Sequence, residues 1–184
     1  MWALVHQQLY NAGEAMLTGD KELAYKVISR ERRVNAFELK IDSDCEDIIA
    51  LYAPVAIDLR FVLAMYKINT NLERLGDFAE SIARFAGNLP EGEPIDPQLV
   101  KETRVEEMLS ELLSMISLTK EAFEKESSEI ASRIFLKDNL IDEINHNSTA
   151  IIAKYIEEHK GSALAGLYIC LLYTSPSPRD KRQS

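Results

Sequence analysis

The sequence predicts an all-α fold, built as two repeated antiparallel three-helix bundles of which the second is truncated. Three observations predict it. Apolar residues recur at helical spacing along most of the chain, and Val27, Val34, Ile41 and Ile48 stand seven apart in one unbroken run. The runs are separated by turn and breaker residues at Gly19-Asp20, at Pro54, through the stretch 87–97 and at Gly161. The runs themselves come in the order short, long, long, linker, long, long, short, as a duplicated helical unit would read.

The first run, residues 1–17, carries its apolar stripe on Trp2, Leu4, Val5, Leu9, Ala12, Met16 and Leu17. It opens with no capping residue, which reads as the second half of a longer helix. Gly19 can close this helix and Asp20 can cap the next. The second run, 21–52, would make a rod of roughly 48 Å at 1.5 Å per residue. Such a rod exposes its apolar face unless comparable helices lie beside it. Its stripe is widened by Leu23, Phe37, Cys45 and Tyr52, and Pro54 ends it. A third helix is expected over 55–86, with Leu59, Val62, Leu63, Tyr66, Leu72, Leu75, Ala79, Ile82 and Phe85 inward. Asp96-Pro97 then restarts helix with a cap and a proline at the first position. The fourth helix is expected to run to Lys125, the fifth from Ser127 to His159, and a last one to begin near Ser162.

This division gives residues 1–87 as a first bundle, 88–97 as a linker and 98–173 as a second bundle. Residues 174–184, TSPSPRDKRQS, hold no large apolar residue and read as a non-native tail.

Composition narrows the function. The formal net charge is −9, from 30 acidic and 21 basic residues. So acidic a chain does not attract phosphate backbones, and nucleic acid is not an expected partner. Cys45 and Cys170 have no nearby cysteine or histidine, and the histidines form no ligand-spaced group, so no thiolate or imidazole zinc site is expected. There is no signal peptide and no run of 18 apolar residues, which makes the cytosol the expected compartment. Glycine-rich phosphate loops, nucleophile elbows and H-E-x-x-H are absent.

The segment NTNLERLGDFAESIARF, residues 69–85, stands out. Glu73 and Asp77 lie four apart and project from one helical face, where like charges cost about 0.2–0.5 kcal/mol. Gly76 between them costs a further 0.8–1 kcal/mol or so relative to alanine. Two unfavourable choices together point to a constraint other than helicity. A hard cation held by the carboxylates would be one, with the glycine admitting a neighbouring helix or a bulky cluster. A chance acidic pair balanced by Arg74 is the plain alternative. Glu31, Glu38 and Asp42 on the second helix are further oxygen donors that could face the pair. Arg60 could pair with Glu46 or Asp47. Tyr52, Tyr66 and Tyr155 read as core residues with a polar tip.

The run PVAIDLRFVLAMYKINTNLERLGDFAESIARF, residues 54–85, resembles the signature of the PhoU family of phosphate-transport regulators. ERRVNAFELKIDSDC, residues 31–45, is similar to that family's second helix, and Gly19-Asp20 to its first turn. The resemblance implies two three-helix bundles in a cytoplasmic, non-catalytic homodimer that negatively regulates phosphate uptake and the phosphate regulon. Its implied partners are the ATPase subunit of the phosphate ABC transporter and the phosphate sensor histidine kinase, with membrane association only through them. It also implies a divalent or multinuclear metal site (Fe, Zn, Mg or Mn) on an E/D-x-x-x-D motif in each bundle, here Glu73 and Asp77. The family usually has aspartate where this chain has Asn71, and often histidine where it has Phe78. Its second acidic motif would fall beyond Leu172, so the chain reads as a fragment. The other readings are a carboxylate-bundle metalloenzyme and a metal-free structural helical module.

Overall fold

The computed structural model describes residues 1–89, 95–158, 166 and 169. Its elements are α1 (Trp2–Thr18), α2 (Lys21–Tyr52), α3 (Ile57–Asn88), α4 (Pro97–Thr103), α5 (Val105–Glu124) and α6 (Ser128–Glu158). The fold is all-α, with the helices in two three-helix groups. Met1–Ala15 and Asp20–Gly87 make one compact unit; Met16–Gly19 and the chain from Asn88 onward make the other. The last helix expected from Ser162 and the tail 174–184 lie outside the described residues, except that Gly166 and Ile169 are helical and buried.

Local chemistry sets the turns. Gly19 takes φ 71, a left-handed value that a side chain would resist. Asp20 accepts from the Leu23 amide at 2.9 Å, satisfying one of the open donors of α2. At the other end Ala53 adopts φ 41 and its N–H reaches the Ile49 carbonyl at 3.2 Å. Ala56 is also left-handed, at φ 49. The two left-handed alanines around Pro54 delay the start of α3 to Ile57, two residues later than the sequence suggests.

In the first unit Val5, Val34 and Leu72 form a buried centre to which Met1, Trp2, Leu4, Ile68 and Leu75 are packed. α1 has 17 residues while α2 and α3 have 32 each. At 1.5 Å per residue α1 is therefore about 22 Å shorter than the hairpin it packs on. Beyond its reach Ile48 (38%), Tyr52 (76%), Val55 (73%) and Phe61 (51%) are exposed. This corrects the reading of Tyr52, Leu63 and Tyr66 as core: Tyr52 stands exposed at the end of α2, and Leu63 and Tyr66 lie on a strip of α3 turned well away from the core residue Leu72. α2 and α3 approach closely at Gly76, where an added Cβ would stand 2.8 Å from Val34 Cγ1.

In the second unit the helix expected over 97–125 is two helices. Arg104 sits between α4 and α5 at φ 55, a left-handed position that costs a non-glycine residue about 1–2 kcal/mol. At this joint the Ser148 hydroxyl of α6 lies 3.1 Å from the Thr103 carbonyl, its proton shared with the nearer Ile144 carbonyl of its own helix at 2.7 Å. The Arg104 guanidinium donates to Glu107 at 2.7 Å and to Glu143 at 3.2 Å. The bend lets Leu99 and Val100 bury against neighbours while Val105, Met108 and Leu109 bury on a second line. With neither glycine nor proline at the joint, the periodicity reads straight through it.

The Gly76 contact yields a stability test. Gly76→Ala gains about 1 kcal/mol of helix propensity but overpacks Val34 by about 1–3 kcal/mol, for a net loss near 1 kcal/mol. Thermal unfolding should show the lowered midpoint, and adding Val34→Ala should recover part of it. A Gly76→Ala chain more stable than the parent would refute the close approach.

Candidate metal centre

The close approach of α2 and α3 runs alongside a polar seam. Glu31, Asn35, Glu38 and Asp42 recur at steps of four, three and four on α2, while Asn69, Glu73 and Asp77 recur at four on α3. Both sets therefore line up along their helices. Asn69, 2% exposed, ties the helices together. Its amide nitrogen donates to the Asp42 carboxylate at 2.7 Å and to the Glu38 carbonyl at 2.9 Å. The side-chain oxygens of Asn69 and Asn35 are buried with no protein partner. An orphaned buried acceptor costs about 1–3 kcal/mol unless something satisfies it.

Glu73 and Asp77 come together as their spacing implies, and Glu73 is hydrogen-bonded to Asp77. Burial pushes the Glu73 carboxyl up to about 7, with Asp77, Glu38 and Glu31 adding repulsion. Glu38 is also raised, first by burial and then by Asp42 and Asp77. The field of the seam is thus negative and incompletely solvated. Asp77 itself is exposed and Glu73 half-buried. Among the described residues, no three His, Cys, Asp or Glu side chains converge into a ligand set. The arrangement holds two hydrogen-bonded carboxylates, with others close enough to be felt but not to coordinate.

Other expectations fare differently. Arg60 forms no ion pair with Glu46 or Asp47: it is exposed, and all three stand on the uncovered end of the hairpin. Arg74 is not ion-paired to Glu73 or Asp77. Cys45 is buried and free, as a small hydrophobe would be; Cys170 lies outside the described residues. Tyr155 is half-buried with a hydrogen bond to Asp96, which holds its hydroxyl above the usual range together with burial, the larger cause.

Three further residues bear on the site through their spacing. Asn69 stands four before Glu73, so helical arithmetic alone places it in the seam. Glu143 and His146 form a Glu-x-x-His step on α6. Both are exposed, and Glu143 is ion-paired with Arg104 at 3.2 Å, so they do not build a di-metal site.

Among the described residues no helix is long and apolar enough to cross a membrane. The model of the PhoU domain matches residues 1–86 and 105–173. A phosphate-specific transport system accessory protein PhoU homologue from Aquifex aeolicus is 34% identical over 160 residues, covering 86% of this chain and 70% of that protein. The Escherichia coli PhoU protein is 35% identical over 143 residues, covering 78% of this chain and 58% of its own length. The crystal structure of PhoU from Pseudomonas aeruginosa superposes with a TM-score of 0.88 at 28% identity, covering 95% of this chain and 82% of that one. The helices, their turns and the acidic seam of α3 thus have a common explanation: the chain belongs to the PhoU family of phosphate transport regulatory proteins.

Proposed function

We propose that this negative regulator of phosphate transport works as a cytoplasmic adaptor, joining the ATPase subunit of a phosphate ABC transporter to a phosphate sensor histidine kinase. The observation that carries the reading is the family match through both helical units. As a member of a regulatory family the chain is not an enzyme. We take the working form to be a homodimer that meets the membrane only through its partners. Co-purification with the two partners tests the adaptor: both should be retained, and a chain that retains neither would overturn it.

The same reading includes a divalent or multinuclear metal held by Glu73 and Asp77. The donors fit. They are all oxygens, suited to hard cations such as Mg, Mn and Fe alike. Asn35 and Asn69 supply buried acceptors in need of a partner. A bound cation would neutralise the like charges of this pair. Elemental analysis of the purified chain should find metal that Glu73→Ala and Asp77→Ala each reduce severalfold. Unchanged metal in both variants would rule the site out.

The metal-free protein carries its own signature. A carboxyl raised from 4.5 to about 7 on folding adds stability that is complete below pH 4.5 and lost as pH rises through 7. With chelator present, the parent should therefore lose thermal stability between pH 5 and pH 8 as one component of its profile (about 4.5 to 7 being the window). Glu73→Gln should flatten that component and be the more stable at pH 8. Identical profiles would show that Glu73 is not raised.

A further inference from the structure

α3 carries a heptad pattern that the core does not use. Leu59, Leu63, Tyr66 and Thr70 follow at steps of four, three and four, the spacing of a coiled-coil seam. Such a seam is ordinarily covered, yet Leu63 is 45% exposed and Tyr66 40%. Thr70 is exposed and Leu59 half-buried. A cation follows Leu59 and Tyr66 directly, as Arg60 and Lys67, and Arg74 repeats the position one heptad on. Arg60 and Lys67 are exposed, Arg74 is half-buried, and none of the three takes part in the ion pairs among the described residues. Together they span roughly 21 Å along the helix. The other flank of the seam is Val62, Asn69 and Gly76, all buried.

We propose that this face of α3 docks an amphipathic helix of a different protein, acidic on the flank that meets Arg60, Lys67 and Arg74. Flanking positions of a helical seam select the partner by charge. A second copy of this chain is a poor occupant. Pairing the face antiparallel with itself sets cation against cation. Pairing it parallel sets the cations against Val62, Asn69 and Gly76, which are uncharged and already buried. An anionic lipid surface is opposed by the net charge of −9. An acidic helix answers both features at once, covering Leu63 and Tyr66 while neutralising the three cations. The proposal goes beyond the adaptor reading and does not depend on which protein brings the helix.

The test uses the full chain and two synthetic helical peptides, each with leucine at the seam positions, one flanked by glutamate and the other by lysine. Fluorescence anisotropy should show the glutamate peptide binding about tenfold more tightly, as a few exposed ion pairs would give. The double variant Arg60→Glu/Lys67→Glu should reverse that preference while circular dichroism shows unchanged helix content. Lys67→Glu alone should narrow it, should the double variant fold poorly. Equal binding of the two peptides, or an unreversed preference in these variants, would overturn the proposal. So would self-association of the chain that Lys67→Glu abolishes, or capture by phosphatidylglycerol vesicles through the same cations without discrimination between peptides. Metal content and partner co-purification report on the adaptor reading separately, because Arg60 and Lys67 lie outside the carboxylate pair.

Discussion

The first unit depends on how closely α2 and α3 can approach, and that is decided where Gly76 meets Val34. Any side chain at Gly76 would stand within 3 Å of a valine methyl that is itself buried. The missing Cβ brings two backbones together in the middle of two long helices. Asn69 lies two turns before Gly76, and the same proximity lets its amide reach both Asp42 and a backbone carbonyl on α2. Glu73, one turn before the contact, is pressed towards the second helix and loses water. Its raised pKa follows first from that burial and only then from its acidic neighbours. The glycine that weakens helix propensity is thus the residue that creates the site's electrostatics.

Burial also varies along the hairpin of α2 and α3. α1 covers part of a hairpin whose members are nearly twice as long. The covered part holds the buried centre around Val5, Val34 and Leu72. Apolar residues at core spacing on the uncovered part, from Ile48 to Phe61, face solvent. Periodicity specifies which face of a helix is apolar. Whether anything lies against that face is set by the number and length of the neighbours. The tyrosines show the difference: Tyr155 is half-buried with a partner, whereas Tyr52, of the same residue type and similar spacing, is 76% exposed.

Much of the fold was legible because its punctuation is chemical. Asp20 and Asp96 cap as aspartates before helices do, and Pro54 and Pro97 fall where their restricted backbones permit. The joint at Arg104 was not legible, since it is held by contacts from elsewhere in the chain: Glu143 of α6 pairs with the Arg104 guanidinium, and Leu99 and Val105 on either side of the joint are buried. No glycine or proline announces it locally. The site was legible in part. Spacing placed Glu73 and Asp77 on one face and nominated Glu31 and Glu38. Spacing places Asn69 on the face of Glu73 and Asn71 off it, but the tie to Asp42 and the Glu38 carbonyl depends on how closely α2 approaches, which spacing does not carry.

α3 shows how one helix can hold several separate surfaces. Leu72, Ala79 and Ile82 face the core, and Val62, Asn69 and Gly76 meet α2 or lie buried beside it. The next strip outward contains Leu59, Leu63, Tyr66 and Thr70, and continuing the same heptad step reaches Glu73 and then Asp77. The apolar seam and the carboxylate pair are therefore one strip of the helix, apolar over its first three turns and acidic beyond. An acidic helix lying on that strip is attracted by Arg60 and Lys67 over the apolar turns. Past Thr70 it meets like charge, which Arg74 only partly offsets. Electrostatics alone thus limits such a contact to about four turns, from Arg60 to Arg74, and ends it before Asp77.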